Sequence, residues 1–215
     1  MTSAQAFDIA IVGAGMAGAS AAYFLSAEKR VVLLERESHP GYHATGRSAA
    51  LYAAAYGNAP IRALTVASKP FYDAPPDGFA AAPLLKPRGA LVIARTDQVA
   101  MLEAETAAIR RQVPAVRLMD AAEARALSPA LKSGYVAAAA YDADAMDMDV
   151  DAILQGFLRG ARARGGGRRY SDGRDGDAGR TGRACRLYPA RRASFAQRGD
   201  AGCERRQLFA VTCGG

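Results

Sequence analysis

Nothing in the 215 residues approaches the roughly eighteen consecutive apolar positions that a membrane-crossing helix needs. The first residues run straight toward a strand without the basic stretch and small-residue cleavage site of a secretory signal, so a cytoplasmic location is the expectation. Cysteine is scarce: the three present, Cys185, Cys203 and Cys213, fit no Cys-x-x-Cys pattern and have no histidine near them. They are read as incidental thiols, with neither a zinc site nor a redox pair expected. Positive charge is also missing where a fold would need it to bind nucleic acid. Residues 1–161 carry 15 Lys/Arg against 16 Asp/Glu, whereas residues 162–215 carry 13 Arg against 5 acids, so the net +7 belongs to the tail.

That tail lacks apolar residues as well. Of its 54 residues, 11 are glycine and only Leu187, Phe195, Leu208, Phe209 and Val211 come from the Val, Ile, Leu, Met and Phe set. So few apolar groups cannot offset the entropy of ordering the segment, and disorder is expected over 162–215. Such text is what a GC-rich gene yields when read out of frame, and a frameshift near 162–168 is the expectation. An Arg/Gly arm binding RNA or DNA phosphates is the other reading. Sparse aromatics and the absence of a repeated Arg-Gly-Gly unit argue against it.

Chemistry is concentrated at the other end. Phe7 to Val12 reads as a short buried strand rich in β-branched residues. Gly13, Gly15 and Gly18 follow in Gly-x-Gly-x-x-Gly spacing and open a helix from Met16 to about Lys29. Its expected apolar face is Ala17, Ala21, Phe24 and Leu25. A second strand, Val31 to Leu34, ends in Glu35. Gly13 permits the turn, Gly15 lets backbone N–H groups approach a pyrophosphate, and Gly18 allows close helix–strand packing. The pyrophosphate would lie at the positive helix N-terminus, and Glu35 would accept hydrogen bonds from the adenosine ribose while repelling a 2′-phosphate. The alternative is that the glycines serve only a tight strand–helix turn.

Past a polar loop with a turn at Pro40 and Gly41, an alanine-rich stretch from Gly46 to about Tyr56 reads as a helix, with Thr45 or Ser48 placed to cap it. Free N–H groups at such a start bind phosphate or the oxygens of a ring system. Ordinary N-capping remains the alternative.

At this point three runs stand in order: Ile11-Val-Gly-Ala-Gly-Met-Ala-Gly-Ala-Ser20, Val31-Val-Leu-Leu-Glu-Arg-Glu37 and Gly41-Tyr-His-Ala-Thr-Gly-Arg-Ser-Ala-Ala50. Pro83-Leu84-Leu85-x-Pro87-Arg88 and Asp149-Val-Asp-Ala-Ile-Leu-Gln-Gly-Phe-Leu-Arg-Gly160 continue the pattern. Together they resemble the D-amino-acid oxidase (DAO) superfamily of FAD enzymes, and within it the bacterial FAD-dependent D-arginine dehydrogenases. The resemblance covers residues 1–161 and implies an α/β fold: a Rossmann-like FAD-binding βαβ unit with part of an α+β substrate domain. It implies bound FAD, oxidative deamination of an amino acid to a 2-oxo acid and ammonia, and reoxidation by oxygen or a quinone. By position, Ala14, Gly15, Met16 and Ala17 would meet the pyrophosphate, Glu35 and Arg36 the adenosine. Ala44, Thr45, Gly46, Arg47, Ser48, Ala49, Ala50 and Leu51 would lie along the flavin side.

Tyr56 matches a tyrosine that encloses the substrate; on the residues alone it is equally a core aromatic. Two departures concern specificity. Leu51 stands where the D-arginine enzymes carry a histidine, and Ala90 where they carry a glutamate for a cationic side chain. The implied pocket of Leu51, Tyr56 and Ala90 therefore suits a neutral amino acid. An NAD-dependent dehydrogenase using the same glycine unit is the alternative, disfavoured by Gly46-Arg47-Ser48.

Helices are expected from Pro60 to Tyr72, with Pro70 kinking or ending it, from Gln98 to Gln112, and after the capping box Asp120-Ala-Ala-Glu123. Met101, Leu102, Ala104 and Ile109 are the core candidates of the second. Strands are expected at Ala90–Ala94, Val116–Met119 and Gly134–Tyr141. The acids Asp142, Asp144, Asp147, Asp149 and Asp151 lack the glycine and terminal glutamate of a calcium loop. They read as a solvated turn and helix cap, with no metal site.

Overall fold

The computed structural model describes residues 6–165, 167–170 and 210–211. Strand β1 (Ile9–Val12), helix α1 (Met16–Leu25) and strand β2 (Val31–Glu35) form the opening βαβ unit, with β1 and β2 parallel from Ile9↔Val31 to Val12↔Leu34. A 3-10 turn at Thr45–Arg47 leads to β3 (Leu51–Tyr52) and α2 (Ala59–Asp73). Then come β4 (Leu85–Pro87), β5 (Ala90–Ala94), α3 (Val99–Arg110), β6 (Arg117–Asp120) and α4 (Ala121–Leu127). β7 (Ala138–Asp142), β8 (Met146–Met148), α5 (Val150–Ala163), β9 (Gly167–Tyr170) and β10 (Ala210–Val211) complete the described elements.

Three sheets result. The parallel sheet runs β1-β2-β9, because α5 carries the chain across to lay β9 beside β2. An antiparallel sheet runs β10-β5-β7-β6, and a small one runs β3-β8-β4. This is the expected α/β architecture with an added antiparallel part. The expected disorder over 162–215 otherwise lies outside the described residues, but 162 and 163 close α5, and 167–170 and 210–211 are strands.

The main core joins the parallel sheet to α1 and α5. Helix α5 presents Ile153, Leu154, Phe157, Leu158 and Ala161 on one face, all buried, and each large member stabilises the fold by roughly 1.5–3 kcal/mol. Asp149 starts this helix by accepting the Ala152 N–H at 2.9 Å. Asp142 accepts the Asp144 N–H at 3.1 Å, so two of the acidic run act as turn and cap. The capping box at Asp120 and Glu123 forms as read, with Asp120 Oδ1 accepting from Ala122 and Glu123 and Glu123 returning to the Asp120 N–H.

Five expectations need correction. The buried face of α1 is Ala19, Ala22 and Tyr23, while Phe24 is 58% and Leu25 41% exposed. Helix α5 sets this rotation: the Tyr23 ring lies so close to Gly160 that a Cβ there would stand 2.3 Å from it. The helix also stops at Leu25 rather than Lys29. The stretch from Gly46 to Tyr56 is not a helix, because Ser48 is extended, Ala50 takes a positive φ of 52°, and Leu51 and Tyr52 pair with Asp147 and Met146 of β8. Pro70 falls inside α2, which continues to Asp73. In α3, Leu102 and Thr106 are buried and Ile109 packs on the core, but Ala104 faces out.

Candidate functional site

The site grows out of the glycine turn. Gly13 adopts φ +96°, which sends the chain back so that its N–H reaches the Leu34 carbonyl at 2.7 Å. Gly18 then sits against that turn, where a Cβ would stand 1.8 Å from the Gly13 oxygen. Helix α1 therefore starts directly at the strand end, with Gly15 as N-cap, no side-chain cap from that residue and no acid in its first turn. Orphan N–H groups and the helix dipole make this end attractive to an anion.

Two distant side chains hold the loop. Glu35 Oε2 accepts the Ala14 N–H at 2.7 Å, while Oε1 accepts from Arg36 at 2.8 Å and Glu37 at 3.0 Å. Burial alone would raise the Glu35 pKa, but the N–H groups of Glu37, Ala14 and Arg36 outweigh it and keep the carboxylate below its ordinary range. Thr45 Oγ1 accepts the Met16 N–H at 3.0 Å. The hydroxyl read as a cap for its own helix thus caps α1, and it ties the 41–47 segment to the glycine turn.

A cavity of about 700 Å³ opens from this point. Gly13, Gly15, Met16, Ala17 and Gly18 line one end together with Glu35. Ala44, Thr45, Ser48, Ala49, Ala50 and Leu51 continue along it. Of the other candidates, Ala14 is fully buried behind the turn, and Arg36, Gly46 and Arg47 are not on the lining. Tyr56, 77% exposed, and Ala90, buried in β5, also lie off it. Ala90 is directly opposite Asp142 across β5 and β7, and burial pushes the Asp142 carboxyl above its usual range.

Residues not singled out also form the wall: Val12, Glu37, Gly41, Tyr42, His43, Met148 and Val150. Tyr42 and His43 lie inside the Gly41–Ala50 motif, which was a usable signal. Met148 arrives at the end of β8 and Val150 at the start of α5, more than a hundred residues on, and they carry no local mark. At the rim, His43 Nε2 lies 3.0 Å from Glu37 Oε1, which Arg36 also contacts at 2.9 Å. These two partners, His43 foremost, hold the Glu37 carboxyl below its ordinary range.

Thr45→Val should remove the side-chain acceptor that caps the Met16 N–H at the α1 N-terminus and cost about 1 kcal/mol. Thr45→Ser should restore it, and urea denaturation of the two variants measures the difference. Equal stability of wild type and Thr45→Val would show that the contact carries no weight.

A glycine-turn βαβ unit, a parallel sheet and a cavity at the helix N-terminus define a dinucleotide-binding fold. The residues present fit such a group: the turn is a cradle that a Cβ at Gly18 would destroy, and Glu35 retains lone pairs beside it. The chain belongs to the FAD dependent oxidoreductase family (DAO), which it matches over residues 8–172.

Its fold is shared with solved structures. Glycine oxidase from Geobacillus kaustophilus aligns at TM-score 0.64 and 21% identity, covering 76% of this chain and 46% of that one. L-alpha-glycerophosphate oxidase from Mycoplasma pneumoniae, with FAD bound, aligns at TM-score 0.63 and 14% identity, covering 78% and 45%. Iminodiacetate oxidase from Chelativorans sp. BNC1 aligns at TM-score 0.58 and 25% identity, covering 75% and 46%. The chain spans less than half the length of each. Among the described residues no helix is long and apolar enough to cross a membrane, and no cluster of His, Cys, Asp or Glu is arranged to hold a metal ion.

Proposed function

We propose that this chain provides the FAD-binding part of an enzyme that oxidatively deaminates a neutral amino acid, of D configuration, to a 2-oxo acid and ammonia. The observation that carries the reading is the single cavity that joins the α1 N-terminus and Glu35 to the Ala44–Leu51 segment and Met148. Beyond the glycine turn and Glu35 it is lined by Ala44, Thr45, Ser48, Ala49, Ala50 and Leu51, joined by Met148 and Val150, mostly small or apolar residues. Glu35 is assigned to the adenosine ribose, the Gly13–Gly18 turn and Thr45 to the pyrophosphate, and Ala49 to Leu51 to the isoalloxazine side. When bound, FAD supplies the acceptor for hydride from the substrate α-carbon, and oxygen or a quinone then accepts the electrons.

Neutral selectivity rests on what the substrate side offers. Leu51 contributes only hydrocarbon to the cavity wall, and by resemblance Ala90 stands where the D-arginine enzymes carry a glutamate for a cationic side chain. A cationic side chain on the substrate side lacks that glutamate partner, and an unpaired buried charge is costly. Anaerobic bleaching of the FAD-loaded protein by D-leucine should therefore exceed that by D-arginine at least about tenfold. Comparable rates would refute neutral selectivity.

A further inference from the structure

The outward side of α2 is apolar from end to end. At about 100° per residue Ala59, Ala63, Leu64, Val66, Ala67 and Pro70 fall on one side of the helix, and every one of them is exposed. Leu64 is 65% open to solvent. The cations of the helix point elsewhere and are committed. Arg62 is its buried residue, donating to the Gly57 carbonyl and, at 2.9 Å, to Gln112 Oε1, while Lys69 pairs with Asp73 at 2.8 Å. A surface helix ordinarily shows the reverse pattern, with polar groups outward.

This apolar side continues onto α1. Phe71, one turn beyond Ala67, sets its ring 6.0 Å from that of Phe24, which is itself 58% exposed. Together these side chains leave about 600 Å² of apolar surface open, the upper end of what a monomer carries and one partner's share of a small stable interface. An acidic or basic partner finds no charge here to pair with. A membrane surface is disfavoured as well, because helices that lie in it carry free Lys or Arg beside the apolar face.

An identical uncharged surface is the complement that such a side meets without repulsion. A two-fold axis passing midway between Ala63 and Ala67 sets two copies of α2 antiparallel, so that their dipoles oppose. Ala59, Ala63 and Ala67, four residues apart, form a low ridge that lets the helices approach closely, with Leu64 and Val66 filling the space on either side. We propose that α2 is the contact of a symmetric dimer: its outward side packs antiparallel on α2 of a second copy of this chain, with Phe24 and Phe71 at the edge of the interface. The dimer does not depend on what the cavity binds.

Sedimentation equilibrium of the 215-residue chain should give twice the chain mass at micromolar concentration. Ala63→Glu and Ala67→Lys should each raise the dimer dissociation constant at least about a hundredfold, with the far-UV spectrum unchanged, because each buries an unpaired charge at the contact. Ala104→Glu, on the outward side of α3, should leave the constant unaltered. Mixing the Ala63→Glu and Ala67→Lys chains should restore the dimer, since an antiparallel pair places residue 63 of one copy beside residue 67 of the other. Should these variants fail to fold, hydrogen exchange of the wild type decides, with dilution expected to speed exchange in α2 and not in α3. A wild type that stays monomeric, whether free or bound to phosphatidylcholine vesicles, would overturn the proposal. So would a dimer indifferent to both α2 substitutions, a mixture of the two variants that stays monomeric, or α2 exchange insensitive to dilution.

Discussion

Gly18→Ala is expected to destroy the cofactor site and to destabilise the chain by about 3 kcal/mol or more. The added methyl would lie 1.8 Å from the Gly13 carbonyl oxygen and 3.4 Å from Ile11 Cγ2. The first contact is against backbone, which cannot rotate away as a side chain could. Relief requires α1 to withdraw from β1, and that withdrawal separates the helix N-terminus from the turn that aims it. Gly13→Ala makes a useful contrast. No atom lies within 4 Å of its added Cβ, so only the φ of +96° opposes it. The strain cost is about 1–2 kcal/mol. Guanidinium denaturation should rank the variants Gly18→Ala well below Gly13→Ala, with flavin affinity following the same order. Equal losses would mean that turn conformation, rather than helix–strand contact, limits the unit.

Glu35→Ala should be the second large effect, with flavin affinity falling roughly ten- to a hundredfold and stability by about 2 kcal/mol. One carboxylate accepts from three backbone N–H groups at 2.7, 2.8 and 3.0 Å, and its removal leaves all three to find water or nothing. The Ala14 N–H is the decisive one, because Ala14 is fully buried in the turn that shapes the α1 N-terminus. The pH dependence has a defined sign. The folded-state pKa of Glu35 lies below the ordinary 4.5, so its stabilisation is fully present above that value. It is lost as the pH falls through the depressed folded pKa. Glu35→Gln should flatten this acid limb of the stability profile. A wild-type limb that is unchanged in Glu35→Gln would assign the acid sensitivity to other carboxylates.

The parts legible in the sequence were those in which cause and consequence are close along the chain. Gly13, Gly18 and Glu35 specify turn, packing and acid within one βαβ unit, and the folded unit follows that pattern. The capping box at Asp120 is equally local. The α1 face was not legible, because its orientation is imposed by α5, where Gly160 admits the Tyr23 ring. The 46–56 stretch was misread for a related reason. Alanine-rich composition favours helix, but Leu51 and Tyr52 find ladder partners in β8, and pairing across nearly a hundred residues overrides local propensity.

The cavity divides in the same way. Its glycine end and the Ala44–Leu51 wall could be nominated from contiguous motifs, whereas Met148 and Val150 enter only after the chain has returned from the antiparallel sheet. Thr45 shows how a correct residue can carry an unexpected role. Its capping chemistry was readable, but the helix it caps begins twenty-nine residues earlier, at Met16. Tyr56 and Ala90 reach the substrate side by resemblance, and their positions beyond the cavity lining leave that assignment to the bleaching experiment.

The most direct measurement is a titration of the apoprotein with FAD, followed by quenching of flavin fluorescence, with ADP and NADP⁺ as competitors. The cavity and Glu35 predict saturation at about one FAD per chain, competition by ADP through the shared adenosine end, and no competition by NADP⁺, whose 2′-phosphate meets the Glu35 carboxylate. Absence of saturable quenching by a folded chain, or displacement of FAD by NADP⁺ as readily as by ADP, would contradict the assignment of this cavity to FAD.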